Sequence, residues 1–561
     1  MSFLYYDSET TGLDPLQDRI TLFQLYDGER IKLAVPGAEF IAKLKTRFKD
    51  NVICGHNLKF DLKFLEHSYG ISPPHIFDTY LAEVLISGGQ NADKKGSSTL
   101  EAVAKKYTGV DLIKDEKLVT SFRGGKLTQE QIQYASMDVA LLPEIQRKQS
   151  RQLIELGLEE VFKTEMECLP AVVWLELSGI KIDVSALGKL TEETKTALEN
   201  SDQSIRRSLK VGGYKGNYDF SGLPVINFNS HPQVLRALRS LGLDVQSTGD
   251  DVLAKLNHPV ADALRQYRSQ DKLLGSFLEK YPKHVHPVTG RLHASFKQYG
   301  TATGRFSCVE PNLQQTPKDK AVRNLFVSSK GYKLVVADYS QIELRIMGEI
   351  SREPKFVETY KNNGDLHTQT AAIVLGKPIS EITKSERQEA KAVNFGFLYG
   401  MSAETFKTKA KKDYNVDFSF EDASKIRGLF FEAYPVLEAY LERIGKTACN
   451  NQKIRNLAGR VVKFDQGLYF GDYERLGRNA PIQSLNADIL KTAMASLYLK
   501  FRGKDVKLVN AIHDELVFEV SDNYVEEARK IVTDEMEAAG RKYLKTVPCK
   551  VEVVVGATWQ K

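Results

Sequence analysis

The stretch Val335-Val336-Ala337-Asp338-Tyr339-Ser340-Gln341-Ile342-Glu343-Leu344-Arg345 joins two signals. The short apolar run Leu334 to Ala337 reads as a buried strand, and it ends on a carboxylate, Asp338. A second carboxylate, Glu343, follows on what reads as the start of a helix. An acid at the exit of a buried strand sits at the edge of a core, where it can hold a metal without being desolvated alone. Many α/β proteins end strands on aspartate, so the stretch gains its force from a second one. Val509-Asn510-Ala511-Ile512-His513-Asp514-Glu515-Leu516-Val517-Phe518-Glu519-Val520 reads as strand, tight turn, strand, with acids at the turn. Side by side, Asp338 and Asp514 suit the paired Mg²⁺ ions of an in-line phosphoryl displacement.

A chain of 561 residues is too long for one core, so two to four domains are expected. The balance of 42% hydrophobic and 27% charged residues is that of a soluble globular protein. A net charge of +6 suits a polyanionic partner where the cations cluster. Cys54, Cys168, Cys308, Cys449 and Cys549 lie far apart with no CxxC pair, which argues against a zinc ribbon or a disulfide framework and for a reducing compartment. No apolar run reaches membrane-span length, and the N-terminus turns acidic at Asp7 without a signal-peptide layout. The first 150 residues alternate apolar runs with amphipathic stretches, an α/β pattern. Helices dominate from about Glu155, broken by an exposed loop at Val211 to Tyr218. A second helical set spans Pro232 to Tyr281, and residues 353 to 450 are mostly helical. Strand signals return near Arg291 and Lys333, and again around a helix at Tyr524 to Ala539.

A second acid constellation stands at the front. Asp7-Ser8-Glu9-Thr10 follows the apolar strand Phe3 to Tyr6, and acids two apart in an extended segment point to one side. Downstream come His56-Asn57-Leu58-Lys59-Phe60-Asp61 and Tyr134-Ala135-Ser136-Met137-Asp138, where Tyr134 and Asp138 share a helix face. Each acid alone is more simply a cap or a solvated charge. Together, four converging acids would repel, and a bound divalent pair resolves the repulsion. The Tyr134 phenol could then orient a water for attack on a phosphodiester.

In Arg387-Gln388-Glu389-Ala390-Lys391-Ala392-Val393-Asn394-Phe395-Gly396-Phe397-Leu398-Tyr399-Gly400, a cation or ring recurs every fourth residue. On a helix this row drifts about 40° per step, so Arg387, Lys391, Phe395 and Tyr399 form one slanting stripe. Arg387 to Phe395 spans roughly 12 Å of axis, enough for two cations to meet phosphates while a ring meets a sugar or base. A lone RxxxK is usually a solvated pair; the full string is far more specific.

These segments resemble the family A DNA polymerases, joined to a 3′→5′ exonuclease of the DEDD type with its tyrosine. The resemblance runs from Asp7 to Trp559. It implies α/β and α+β multidomain architecture, with an RNase H-like exonuclease domain (1–150) before a right-hand polymerase. The hand would comprise thumb (151–290), palm (291–345), fingers (346–470) and palm again (471–561). By the match Asp7, Glu9, Asp61 and Asp138 hold the exonuclease metals and Tyr134 places the water. Asp338 and Asp514 hold the polymerase metals, and Glu515 supports them. Arg387 and Lys391 bind the incoming triphosphate, Lys391 counting among the catalytic residues. Phe395 packs on the sugar and implies rejection of dideoxynucleotides. Tyr399 lies near the templating base, His367 and Gln341 join the nucleotide site, and Glu343 is a gate that excludes a ribose 2′-OH by clash. Arg305, Asn312, Gln314, Arg475, Asn479, Gln483 and His513 contact DNA.

The implied cofactors are two Mg²⁺ per active site, with Mn²⁺ as a substitute; the implied partners are primer-template DNA and dNTPs, with no membrane. A monomer is expected, with a helicase or other replisome proteins as accessories. The short thumb leaves no room for the long insertion by which one phage branch binds thioredoxin, so that factor is not expected. Nothing ahead of Asp7 resembles a 5′-nuclease, which fits a phage-type replicative enzyme in a bacterial or phage-infected cytoplasm, with an organelle as the alternative. Val211 to Val225 has no counterpart in the family. Two other readings are a dedicated exonuclease that merely grips DNA with its C-terminal part, and a non-catalytic replisome scaffold.

Overall fold

The computed structural model describes residues 1–92, 94, 96–112, 121–122, 127–414, 416 and 418–560. Two sheets organise the chain. The first has five strands in the order Ile31–Ala34, Ile20–Tyr26, Phe3–Thr10, Val52–Gly55, Ile76–Asp78. The first three run antiparallel and the last two join in parallel, through helical crossovers at Ala38–Asp50 and Lys59–Tyr69. This is the RNase H-like arrangement expected from the sequence. Phe3–Thr10 is central and alternates little, because both faces are covered. The expected strand end at Tyr6 is corrected. Pairing with Ile20–Tyr26 continues through Asp7↔Gln24 and Glu9↔Leu22, so both acids lie inside the strand.

The second sheet is antiparallel, in the order Val506–Ile512, Glu515–Ser521, Tyr332–Tyr339, Val551–Gly556. Here too the strand runs past the expected exit, since Asp338 is paired on both sides. The 32-residue helix Phe470–Phe501 and the helix Val525–Tyr543 contribute apolar side chains to the core that this sheet shares. A run of helices from Ile342–Ser351 to Pro435–Asn451 separates Tyr332–Tyr339 from Val506–Ile512 along the chain. The long helix Val184–Val211 and Pro259–Leu273 carry a smaller apolar core of their own, including Ile205, Leu209, Phe228 and Leu264.

The boundary expected at residue 150 falls inside the helix Leu142–Glu155. The next helix, Glu159–Ser178, belongs to two cores at once. Val161, Met166, Leu169 and Val173 pack with the first sheet, while Cys168, Ala171, Val172 and Leu175 pack with the second.

Candidate active sites

The first site is built on one strand and two helices. Asp7 and Glu9 project from the same face of Phe3–Thr10, and Asp138 comes from the helix Gln129–Ala140. One carboxylate oxygen of each lies within 4.8 Å of the others. Gln24, from the paired strand, donates to Glu9 Oε1 at 3.0 Å. Asp61 sits deeper, in the first turn of Lys59–Tyr69, and accepts a 2.6 Å hydrogen bond from Ser8 Oγ. Burial, and then the charge of Asp7, push the Asp61 carboxyl well above the usual range against that hydrogen bond. All four acids and Tyr134 line one cavity of about 870 Å³. Burial, followed by Asp138 and Glu9, pushes the Tyr134 phenol far up, so it keeps its proton at neutral pH and can donate. The set fits hard divalent cations: all-oxygen donors, crowded enough that one acid resists ionisation in the ion's absence. Asp78, on the neighbouring strand, has a different task. It caps the helix Thr79–Ile86 and accepts from the backbone N–H groups of Asn57, Leu58, Tyr80 and Leu81. Burial raises it to about 6 against those four donors.

The second site depends on strand register. Asp338 pairs directly with Glu515 on one side and Glu552 on the other, which places three acids in a row on one sheet face. Sequence reasoning misses Glu552; the β-branched run Val551 to Val555, interrupted only by this acid, is the signal that could have found it. Asp514 occupies the two-residue turn between Ile512 and Glu515, and its carbonyl accepts from Tyr339 N at 3.3 Å. His513, the other turn residue, has φ +55°, and Gln341, just beyond the Asp338 strand, has φ +53°. Left-handed backbone at non-glycine residues is uncommon and costs about 1 kcal/mol or more, yet it brackets this acid pair on both strands. Asp338, Asp514 and Glu515 line a cavity of about 210 Å³ together with Gln314, Lys318 and Arg323. Trp559 Nε1 donates to Glu515 Oε1 at 2.7 Å, and Arg323 lies 3.7 Å from its other oxygen. Glu515 is therefore braced at both oxygens, and its tie to Trp559 is not legible in the sequence.

The slanting stripe lies on the helix Lys384–Leu398. A reciprocal cap between Thr383 and Glu386 starts this helix, and Gly400, at φ +69°, follows its end. At that φ any side chain would be strained, and a Cβ would also displace the Arg478 side chain, 2.7 Å away. Arg387, Lys391, Phe395 and Tyr399 are all half-buried, along the edge of the helix's apolar face. Arg387 forks onto Asp365 through Nε (3.1 Å) and Nη2 (2.8 Å), and Gln341 Nε2 reaches the same carboxylate at 2.8 Å. Burial would raise Asp365, but Arg387 and Thr368 outweigh it and hold the carboxyl far below its usual range. Glu343 is gripped from two directions, by Arg305 Nη2 and by the Tyr399 hydroxyl. His367, expected at the triphosphate, is only 2% exposed. Its Nδ1 faces Asn394 Nδ2 at 3.0 Å, its ring centroid lies 5.8 Å from that of Phe395, and burial pushes it down to about 4. It is neutral at pH 7.

Among the expected DNA contacts, Arg305, Gln314 and His513 line one crevice beside the second site. Asn312 spends its side-chain oxygen capping the turn Leu313–Gln315. Arg475, Asn479 and Gln483 are spaced by four on Phe470–Phe501 and share a face. Arg475 is exposed and paired with Asp472, while the Asn479 side-chain oxygen is buried without a hydrogen-bond partner.

Two family models account for nearly all of the chain. "3'-5' exonuclease" matches residues 1–154, and "DNA polymerase family A" matches residues 195–561. The chain belongs to DNA polymerase family A. It carries a 3′–5′ exonuclease domain ahead of the polymerase domain, and it is a DNA-directed DNA polymerase of the polymerase I type. The DNA polymerase I of Aquifex aeolicus is 32% identical over 100% of this chain and 96% of its own length. That of Pseudomonas aeruginosa is 29% identical over 99% of this chain, and the thermostable enzyme of Thermus filiformis is 32% identical over 78%. This chain spans 63% and 52% of those two longer relatives. The fold matches the polymerase domain of Pol1 from M. smegmatis with a TM-score of 0.83 at 24% identity, covering 99% of this chain and 95% of that one. Family A polymerases and exonuclease domains of this kind are generally dependent on divalent metal. Among the described residues, no helix is long and apolar enough to cross a membrane.

Proposed function

We propose that this family A polymerase extends a primer 3′ end on a DNA template at the Asp338–Asp514 site and trims that end at the Asp7–Glu9–Asp61–Asp138 site. The observation that carries the reading is the presence of two separate acid-lined cavities, one on each sheet. The M. smegmatis structure with this fold is described in complex with DNA primer-template and dNTP, and both ligands suit the groups gathered here. When bound, Mg²⁺, or Mn²⁺ in its place, lowers the pKa of the attacking oxygen and neutralises the leaving one. Asp338 and Asp514 hold the metals in the palm, with Glu515 fixed behind them by Trp559. Arg387 and Lys391 take the triphosphate of a dNTP, Arg387 being oriented beforehand by Asp365 and Gln341. Phe395 stacks on the deoxyribose, and Glu343, held by Arg305 and Tyr399, closes the space of a 2′-OH. His367 contributes as a neutral ring behind Phe395 rather than as a cation. Arg305, Gln314 and His513 contact the primer-template near the site. Arg475, Asn479 and Gln483 contact the duplex further along the long helix. In the other cavity the protonated Tyr134 orients the attacking water.

Residues 1–150 with the rest of the helix to Glu155 serve as the exonuclease. The two-helix core from Val184 to Leu273 serves as the thumb, residues 346–470 as the fingers, and 291–345 with 471–560 as the palm. The enzyme acts as a monomer in replication, in repair or in both.

Primer extension with Mg²⁺ and dNTPs tests the reading. The wild type should extend a matched primer and degrade a single-stranded 3′ end. Asp338→Ala should lose only extension, and Asp7→Ala only degradation. Wild type that degrades but never extends would overturn the polymerase assignment.

A further inference from the structure

The helix Glu159–Ser178 carries two buried glutamates three turns apart. Glu165 and Glu176 differ by eleven residues, which on an α-helix returns them to nearly the same face about 16 Å apart. Each holds two cations. Glu176 takes Lys59 at 2.6 Å and Lys63 at 2.9 Å, both from the helix that carries Asp61. Glu165 takes Arg460 at 2.5 Å and Lys491 at 2.6 Å, from the polymerase side. Burial alone would raise both carboxyls, but in each case the paired cations hold the group below its usual range.

Both glutamates also grip one short segment. Glu176 Oε1 accepts from Phe296 N at 2.7 Å, and Lys59 Nζ donates to Phe296 O at 2.8 Å. Two residues on, Gln298 Nε2 donates to Glu165 Oε2 at 2.6 Å and to Glu165 O at 2.7 Å. Ser295, Lys297 and Gln298 form a wall of the exonuclease cavity, although they lie outside the exonuclease match. The same segment runs on through the turn Thr301–Gly304 to Arg305 at the polymerase cleft. Arg460 lies under that turn. A Cβ on Gly304, which has φ +83°, would come within 2.8 Å of its Nη1. Arg460 is in turn anchored on Asp488 at 2.6 Å, from the long helix Phe470–Phe501. Arg460, Glu165 and Lys491 are fully buried, so this end of the brace cannot be exchanged for water.

We propose that Glu165 and Glu176 are positioning residues that hold the Ser295–Gln298 wall of the exonuclease cavity in register with the Arg305 turn of the polymerase cleft, and so set how a primer terminus divides between the two sites. This rests on the two-site reading above. A shift at either glutamate moves one continuous segment that borders both cavities, and neither glutamate is itself an acid of either site. The effect therefore falls on partition rather than on chemistry.

The test uses the full chain on a matched primer-template with dNTPs, reading the ratio of nucleotide released to nucleotide retained. Glu176→Gln keeps an acceptor near Phe296 N and removes the charge. It should shift the ratio about three- to tenfold, while kcat for hydrolysis of a single-stranded oligonucleotide stays near wild type. Glu176→Asp serves if the glutamine variant melts below the assay temperature. It should shift the ratio in the same direction by less, because the carboxylate retreats by one methylene. An unchanged ratio in a folded variant overturns the proposal, as does a parallel fall in single-stranded kcat, which marks a purely structural role. Wild type lacking either activity would instead sink the two-site reading itself.

Discussion

The two acid sites are assembled by different rules. In the exonuclease, Asp7 and Glu9 share a strand, and the period of two brings them together with no help from distant register. Only Asp61 and Asp138 have to be delivered, each by a helix. In the polymerase domain, Asp338 lies on a strand and Asp514 in the turn between two others, and their proximity exists only if the sheet pairs in one register, Asp338 opposite Glu515. A slip of one residue would turn Asp338 to the other face. The site in the exonuclease domain should accordingly tolerate changes in its sheet edges, whereas the site in the polymerase domain should be unforgiving of changes around its turn. The left-handed residues His513 and Gln341 stand where that register is fixed.

That contrast can be broken in several ways. The largest effect is expected from Asp338→Ala, which should cut extension at least about 10³-fold and leave single-stranded degradation intact, with Asp7→Ala as the mirror image. Loss of both activities from either change would show that the sites are not independent. Next, Glu165→Gln leaves Arg460 and Lys491 buried with one anion fewer, and should cost about 3 kcal/mol of stability, read as a lowered melting temperature. A smaller effect concerns pH. His367 has its pKa pushed down to about 4 by burial, so between pH 4 and 6.5 the unfolded chain binds more protons than the fold. Stability should fall as pH drops through that window, by on the order of 2 kcal/mol between pH 7 and 5. His367→Gln should flatten this slope in melts run at both pH values; an unchanged slope would mean that the ring is not held neutral. The smallest change is one of selectivity. Glu343→Ala should raise ribonucleotide incorporation relative to deoxyribonucleotide by roughly tenfold, measured by competitive extension, with some loss of rate.

Much of this architecture is legible in the amino-acid sequence alone. The acid pairs, the Arg387 stripe and the α/β opening follow from periodicity, because side-chain direction repeats every two residues in a strand and every three to four in a helix. Other features obey no local period. The apolar runs end at Tyr6 and Ala337, which suggests that the strands end there, yet pairing carries both through their acids. The family resemblance implies that His367 meets the triphosphate, and only the packing of Asn394 and Phe395 around it shows a buried neutral ring. The tie from Trp559 to Glu515 and the cluster of Glu165, Arg460, Asp488 and Lys491 bring together residues far apart in sequence. Buried ion pairs of that kind leave no mark on hydropathy, since each member reads as a surface charge.

The helix Glu159–Ser178 bears on anyone who wishes to shorten this protein. Its Val161, Met166, Leu169 and Val173 are covered by the exonuclease core, and Lys59 and Lys63 cover Glu176. A polymerase fragment cut after residue 154 would present a greasy strip with a stranded anion at one end, a surface prone to self-association. Its solubility would have to be restored by repainting that strip with polar side chains, so a nuclease-free version is better made by changing Asp7 than by removing the domain.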